Sequence, residues 1–284
     1  MSMKHKVTGI VGVFLLGATA CGPVEPYYDD TIGLEGSATT PGELAGVFGH
    51  KVFAATLVQV PLLPDELGGG YQWLLVERTY DAENDTYAQT SQLCNGKNLE
   101  VHGTGADVPM STYRSVPKSE NETTQVDHQS GEFGSEGLLQ LWGLRGMENP
   151  ASDPLPTTLE EAQTEPFASQ IYDMDGDGEI GYTTFVSGLT NGEAFGILRR
   201  ENAYRGVVLG TDRIVGLVTT AYDSLILGAN DDFVKSLMDG KAPPYPDPKE
   251  SWFEEIRLPD GSDCDAVVDL EESGGFSRLR PFGD

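Results

Sequence analysis

The sequence predicts a mainly β protein, an antiparallel meander forming a barrel or a sandwich, with two short helices. β-branched and aromatic runs recur along the chain, turn residues interrupt them roughly every ten positions, and helix signals occur at two places only. Short connections favour antiparallel neighbours, because parallel strands need a long crossover. Taken in order, KVFAATLVQV (51–60) is the first β-rich run and YQWLLVERTY (71–80) the second. Alternation in the second puts Tyr71, Trp73 and Leu75 on one face and Gln72, Leu74 and Val76 on the other. DAENDT turns the chain into TYAQTSQL. Residues 138–144, 182–189, 193–199 and 204–209 read as further strands, the last joined through GTD to 213–221 and then 222–227. Thr158 and Glu161 have the spacing of a helix capping box, with Pro166 ending that helix early. In NDDFVKSLMDG, Asn230 is the candidate cap, Phe233 and Leu237 share a face, and Gly240 is the candidate stop.

Ahead of this domain lie two segments of different character. Residues 1–20 carry the basic start Lys4-His5-Lys6 and the apolar run VTGIVGVFLLG, shorter than the roughly 20 residues a membrane-spanning helix needs. This is the layout of a secretory signal peptide. The small residues of LLGATAC suit cleavage before Cys21, either by ordinary signal peptidase or at a lipobox. The chain has three cysteines, Cys21, Cys94 and Cys264, and an odd number in an exported protein leaves one thiol to be explained. If Cys21 carries lipid, Cys94 and Cys264 can pair; the alternative is an exported protein with a free Cys21. Over residues 1–22 the chain resembles bacterial lipoproteins. The resemblance implies an anchor on Cys21, and Gly22, where that family marks inner-membrane retention with Asp, implies the outer membrane or cell surface. Residues 21–43 read as a lipid-anchored flexible tether, since their proline, glycine and acid content buries too little surface to offset ordering. Residues 44–284 are then one domain, ample for a core.

The charge narrows the partners. Without Lys4 and Lys6, 16 basic residues stand against 45 acidic ones, a net charge of −29. Such a field repels phosphate backbones, so nucleic acid is not an expected partner, whereas cations are attracted. It also keeps a crowded exported protein apart from its neighbours.

The segment YDMDGDGEIGY (172–182) spaces its acids as an EF-hand loop does. In such loops oxygens come from positions 1, 3 and 5, a carbonyl at 7 and an acid at 12, with glycine at 6 for the turn. Asp173, Asp175 and Asp177 fill the first three, Gly178 the sixth, Glu179 the seventh and Ile180 the apolar eighth. Position 12 of the loop at 173–184 is Thr184, a hydroxyl in place of a carboxylate, and YTTFVSGL beyond it reads as a strand. The stretch therefore resembles the DxDxDG calcium loops found outside EF-hands, including those of lipoproteins of myxobacterial type. The resemblance implies weak Ca²⁺ binding in a structural role, with a solvated acidic turn as the competing reading.

Other acid-rich stretches read as turns. Asp81, Glu83 and Asp85 repeat the alternate spacing but have Thr86 in place of the glycine, which marks a hairpin; Asp263 and Asp265 around Cys264 read as solvated. No GxSxG, HExxH, P-loop or CxxC occurs. His50 reads as a strand start and His128 as a loop residue. Adjacent Glu254 and Glu255 on a strand face opposite ways, so they cannot form a carboxylate pair for glycoside chemistry. Trp73 and Trp142 are expected in the core and Trp252 at the surface. A long meander ending in a helix resembles calycin barrels, with GVFGH standing where lipocalins carry Gly-x-Trp.

Three functions remain. The first is a lipid-anchored envelope protein with a structural calcium site and a binding or scaffolding role. The second is an extracellular hydrolase using dispersed carboxylates, and the third a lipocalin-like carrier of a small apolar ligand. A wide apolar cavity favours the carrier, facing carboxylates across a cleft favour the hydrolase, and a filled barrel favours scaffolding.

Overall fold

A computed structural model describes residues 33–59, 64–239 and 242–278. Its centre is one antiparallel sheet of ten strands: β1 (Gly46–Val58), β2 (Glu66–Asp81), β3 (Thr86–Asn98), β4 (Gly105–Asp107), β5 (Ser119–Val126), β6 (Glu132–Trp142), β7 (Tyr182–Ser187), β8 (Gly192–Val208), β9 (Arg213–Ala229) and β10 (Trp252–Leu258). β10 pairs with both β9 and β1, and β9 pairs with β8, so the sheet closes on itself. β7 lies against the first residues of β8 and carries β4 beside it. The other eight of the ten strands form the ring, each beside the next ring strand in sequence. Of the two arrangements the sequence allowed, the chain adopts the barrel.

Side-chain alternation explains the closure. The even-numbered residues of β1 and β2, among them Phe48, Val52, Leu74 and Val76, point inward and meet Tyr87, Phe133, Ile214 and Phe253 in the main core. Odd-numbered Trp73 and Leu75 point outward, as the alternation in YQWLLVERTY requires, and pack with Cys94, Leu258, Val267 and Phe276 in a second cluster outside the barrel. Between β8 and β9 the inward pair Gly206 and Gly216 face each other in register. A Cβ built on Gly216 would lie 2.1 Å from the Arg205 carbonyl oxygen, so only glycine allows this tight coil.

Several boundaries differ from the sequence expectation. Residues 193–199 and 204–208 belong to one strand, β8, which ends one residue before the expected 209, and residues 213–221 and 222–227 to one strand, β9. The polar stretch Arg200-Glu201-Asn202 hid the continuity of β8: Asn202 is fully buried inside the barrel while Glu201 is exposed. β5, SENETTQV, has no apolar run either, because Glu122 and Thr124 are its buried inward residues. The turn between Asp81 and Thr86 is the expected hairpin, with the Asp81 carboxylate accepting from the Glu83 backbone amide and from Asn84 Nδ2.

Among the described residues there are five short α-helices where two were expected: α1 (Met110–Ser115), α2 (Leu159–Ala162), α3 (Phe167–Gln170), α4 (Asp232–Met238) and α5 (Cys264–Glu272). Thr158 caps α2 as the capping-box spacing predicts. α4 is capped by Asp231, not by Asn230, and it buries Val234 while Phe233 stays exposed. The candidate stop Gly240 lies outside the described residues. Asp263, expected to be solvated, caps α5 by accepting from the amides of Asp265 and Ala266. Asp265 is exposed and pairs with Arg114. Cys94 of β3 and Cys264 of α5 form a disulfide, which clamps α5 over the outward cluster. Trp252 is buried with Phe53 and Leu217, contrary to its expected place at the surface.

The C-terminal part of the segment assigned to a tether lies on the barrel. The Ser37 amide donates to the Val208 carbonyl, the Thr39 amide to the His128 carbonyl, and the Gly42 amide to the Tyr87 hydroxyl. Residues 1–20 and Cys21 lie outside the described residues. Among those described, no helix is long and apolar enough to cross a membrane.

Candidate functional site

Three places in the barrel gather chemistry-bearing side chains. The first is a closed polar network in the packed half. The Glu255 carboxylate accepts from Arg78 at 2.7 Å and from His50 Nδ1 at 2.8 Å; Arg78 also donates to Gln89, which donates to Glu122. Burial pushes the Glu255 carboxyl up, but the Arg78 charge and the His50 bond outweigh it and hold it down at about 2. Burial dominates at Glu122 and pushes that carboxyl up to about 7. Glu254 points the other way, onto Arg213 and Ser277, as strand alternation demands. His50 stacks on Phe253 and meets Tyr204 edge-on, which makes it an interior residue of β1. With its members about as buried as the apolar core, this network holds strands together and offers a substrate no approach.

The second place is the loop that runs from α3 into β7. Asp173, Asp175 and Asp177 each bring a carboxylate oxygen to within 4.8 Å of the others, a cluster that could hold a metal ion. The turn is made as the spacing predicts, with Gly178 at φ +98° and the Asp173 carboxylate accepting from the amides of Gly176 and Gly178. Asp175 accepts from the Thr183 amide and from the Thr112 hydroxyl of α1, which leaves its Oδ1 buried without a partner. The hydroxyl that reaches the cluster is Thr183, bonded to Asp177, whereas Thr184 is buried one strand position further on. Glu179 has an exposed side chain, and its amide donates to Asp177. Met174 turns inward between the acids; its sulfur accepts from the Gly143 amide and pins the loop to the core.

The third place is a cavity of about 580 Å³ at the opposite end of the barrel from Ile214. It exists because inward side chains shrink along β1 and β2: Phe48, His50 and Val52 give way to Ala54 and Thr56, paired in register with Gly70 and Gly68. Leu198, Arg200, Val218, Thr220 and Tyr222 of β8 and β9 form the facing wall, while Leu237 and Met238 of α4 and Tyr182 of β7 line the mouth. Among the described residues the lining includes no Asp or Glu, and Arg200 and His102 are its basic members. His102 pairs with Glu66 at 3.1 Å. Sequence reasoning missed this place, although the signal was present as LGGGY facing FAAT, two adjoining strands stripped of inward bulk.

Of the residues singled out in the sequence, Asp173, Asp175 and Asp177 are brought together, and so are Cys94 and Cys264. Thr184 and the Glu179 side chain are not part of the acidic cluster. His128 is the loop residue expected, bracing Thr39 and Asp85. The chain matches no protein-family model, no curated protein and no solved structure.

Proposed function

We propose that this chain is an exported binding protein that takes a small, largely apolar ligand into the hollow end of its barrel. The carrying observation is the cavity itself, whose volume of about 580 Å³ falls within the roughly 300–1,000 Å³ of small-molecule sites and whose wall is mostly aliphatic and aromatic. A concave apolar wall gains free energy by replacing water with a ligand body, at roughly 25 cal/mol per Å² of apolar surface removed from water. The hydrolase reading finds no facing carboxylates here, since the wall contains none. In this proposal Ca²⁺ at Asp173, Asp175 and Asp177 is a structural clip. It relieves the repulsion among three converging carboxylates and gives the unpartnered Asp175 Oδ1 a ligand to meet. The loop ends at Tyr182, a residue of the cavity wall, so the clip stiffens one side of the mouth. A lipid on Cys21 would hold the carrier at the outer membrane or cell surface.

A neutral fluorescent probe such as N-phenyl-1-naphthylamine tests the cavity. The purified protein is expected to bind it at about one equivalent with a blue-shifted emission. Ala54→Phe fills the hollow end and should reduce binding at least tenfold with little change in Tm. Probe binding that survives Ala54→Phe unchanged would remove the cavity as the site.

A further inference from the structure

Ligand preference is written in the charge of the cavity wall. In a chain with 45 acidic residues against 18 basic, the described residues of this concave surface include no acid and two basic side chains. His102 is already committed to Glu66. Arg200 is not: none of the ion pairs formed among the described residues includes it. Its Nε donates to Asn202 Oδ1 at 3.2 Å, and its Nη2 is buried with no hydrogen-bond partner. Asn202 offers little more. Its Oδ1 also accepts from the Thr220 hydroxyl, and its Nδ2 donates to the Tyr204 hydroxyl.

A guanidinium in an apolar wall with one neutral acceptor and a stranded N–H is costly to bury, because a buried donor left unpaired forfeits its hydration. Burial accordingly pulls the Arg200 pKa downward. The arrangement becomes favourable once a planar anion meets the fork of N–H groups, since arginine pairs with carboxylates through two parallel bonds. Apolar surface lies around it: Leu198 on the same strand, Val218 on the adjoining strand β9, and Ala54 on β1.

Resting on the cavity reading above, we infer that the ligand is an amphipathic monoanion, a carboxylate on an apolar chain of fatty-acid type, its head paired with Arg200 and its body lying among Ala54, Leu198 and Val218. The protein's overall negative field opposes the approach of such a ligand, but that field is screened over about 10 Å in ordinary salt, whereas the Arg200 contact is made after water is expelled.

The experiment displaces N-phenyl-1-naphthylamine from the purified protein with decanoate or with decanol, which share a chain length and differ at the head. The wild type is expected to bind decanoate at least tenfold more tightly than decanol. Arg200→Leu should bring the decanoate and decanol affinities to within about twofold of each other, and Arg200→Lys, which keeps a charge but not the fork, should retain part of the preference. Equal displacement by acid and alcohol in the wild type overturns the inference and leaves the cavity reading standing. Failure of both to displace a bound probe, or of the probe to bind at all, overturns both. Should Arg200→Leu fail to fold, Arg200→Lys with unchanged decanoate preference relative to wild type still rejects the bidentate head contact.

Discussion

Glu122 shows how a single interior residue sets the pH response of this barrel. Its carboxyl is pushed up to about 7 by burial, against the opposing pull of hydrogen bonds from Ser91, Gln89 and Ser119 and the charge of Arg78. The folded value lies above the ordinary one, so the folded state holds this proton more tightly than the unfolded chain. The resulting stability is fully present below the unfolded carboxyl value and is lost as pH rises through about 7. Glu122→Gln keeps a neutral donor and acceptor in place at every pH. The variant should therefore match the wild type near pH 4 and exceed it at pH 8.5 by about 3 kcal/mol in urea unfolding. A gain that does not depend on pH would show that the carboxyl does not titrate in this range. Glu255 carries the opposite sign: held at about 2, it stabilises the fold above the unfolded carboxyl value and loses that contribution only as pH falls through about 2. The sequence could not separate these two glutamates. Strand alternation correctly set Glu255 apart from Glu254, but the partners Arg78 and His50 arrive from strands far away in the chain.

Among the elements, the acidic loop was the most legible and its completion the least. Three aspartates and a glycine at fixed spacing specify the turn locally, so the cluster forms where the motif said it would. At the end of the loop, where β7 begins at Tyr182, the hydroxyl bonded to the acids is that of Thr183, one position before the Thr184 that the spacing indicates. Calcium at 10 mM should raise Tm, and chelator should reverse the shift. For a dissociation constant of roughly 10⁻⁴–10⁻³ M the linkage amounts to about 1.4–2.7 kcal/mol. The double substitution Asp173→Ala and Asp177→Ala should erase the response, and a native protein whose Tm ignores calcium would refute the clip. Polar strands were harder to read for a physical reason. β5 and the middle of β8 point the buried polar residues Glu122, Thr124 and Asn202 into the barrel, whereas hydrophobic periodicity marks only a buried face that is apolar. Helix α5 was hidden by its acids, yet Asp263 is the very cap that starts it.

For the whole molecule, the meander was readable from turn spacing, while barrel and sandwich stayed equivalent until the pairing of β1 with β10 closed the ring. That contact joins the two ends of the domain, and no local pattern announces it. The cavity was illegible for a related reason: small residues on β1 and β2 become a hollow only when β8 and β9 stand opposite. Charge acts at this scale too. The large excess of acid repels itself across the folded surface, so raising sodium chloride from about 10 mM to 500 mM in calcium-free buffer should increase Tm. A fall would mean that the surface pairs, such as Arg199 with Asp223, outweigh the repulsion.

Ring closure by β10 also bears on when the protein can fold. Its partner β1 begins at Gly46, whereas β10 spans Trp252–Leu258, so the last seam needs nearly the full chain. Contacts of such sequence separation form late and slowly, because a long loop must be closed before they reward the chain. A polypeptide threaded through a membrane from its N-terminus would expose unpaired edges of β1 and β9 until its final segment emerged. Closure of the ring thereby waits on nearly the whole chain, and a chain truncated before Trp252 would be left with two open edges suited to pairing with other copies of itself.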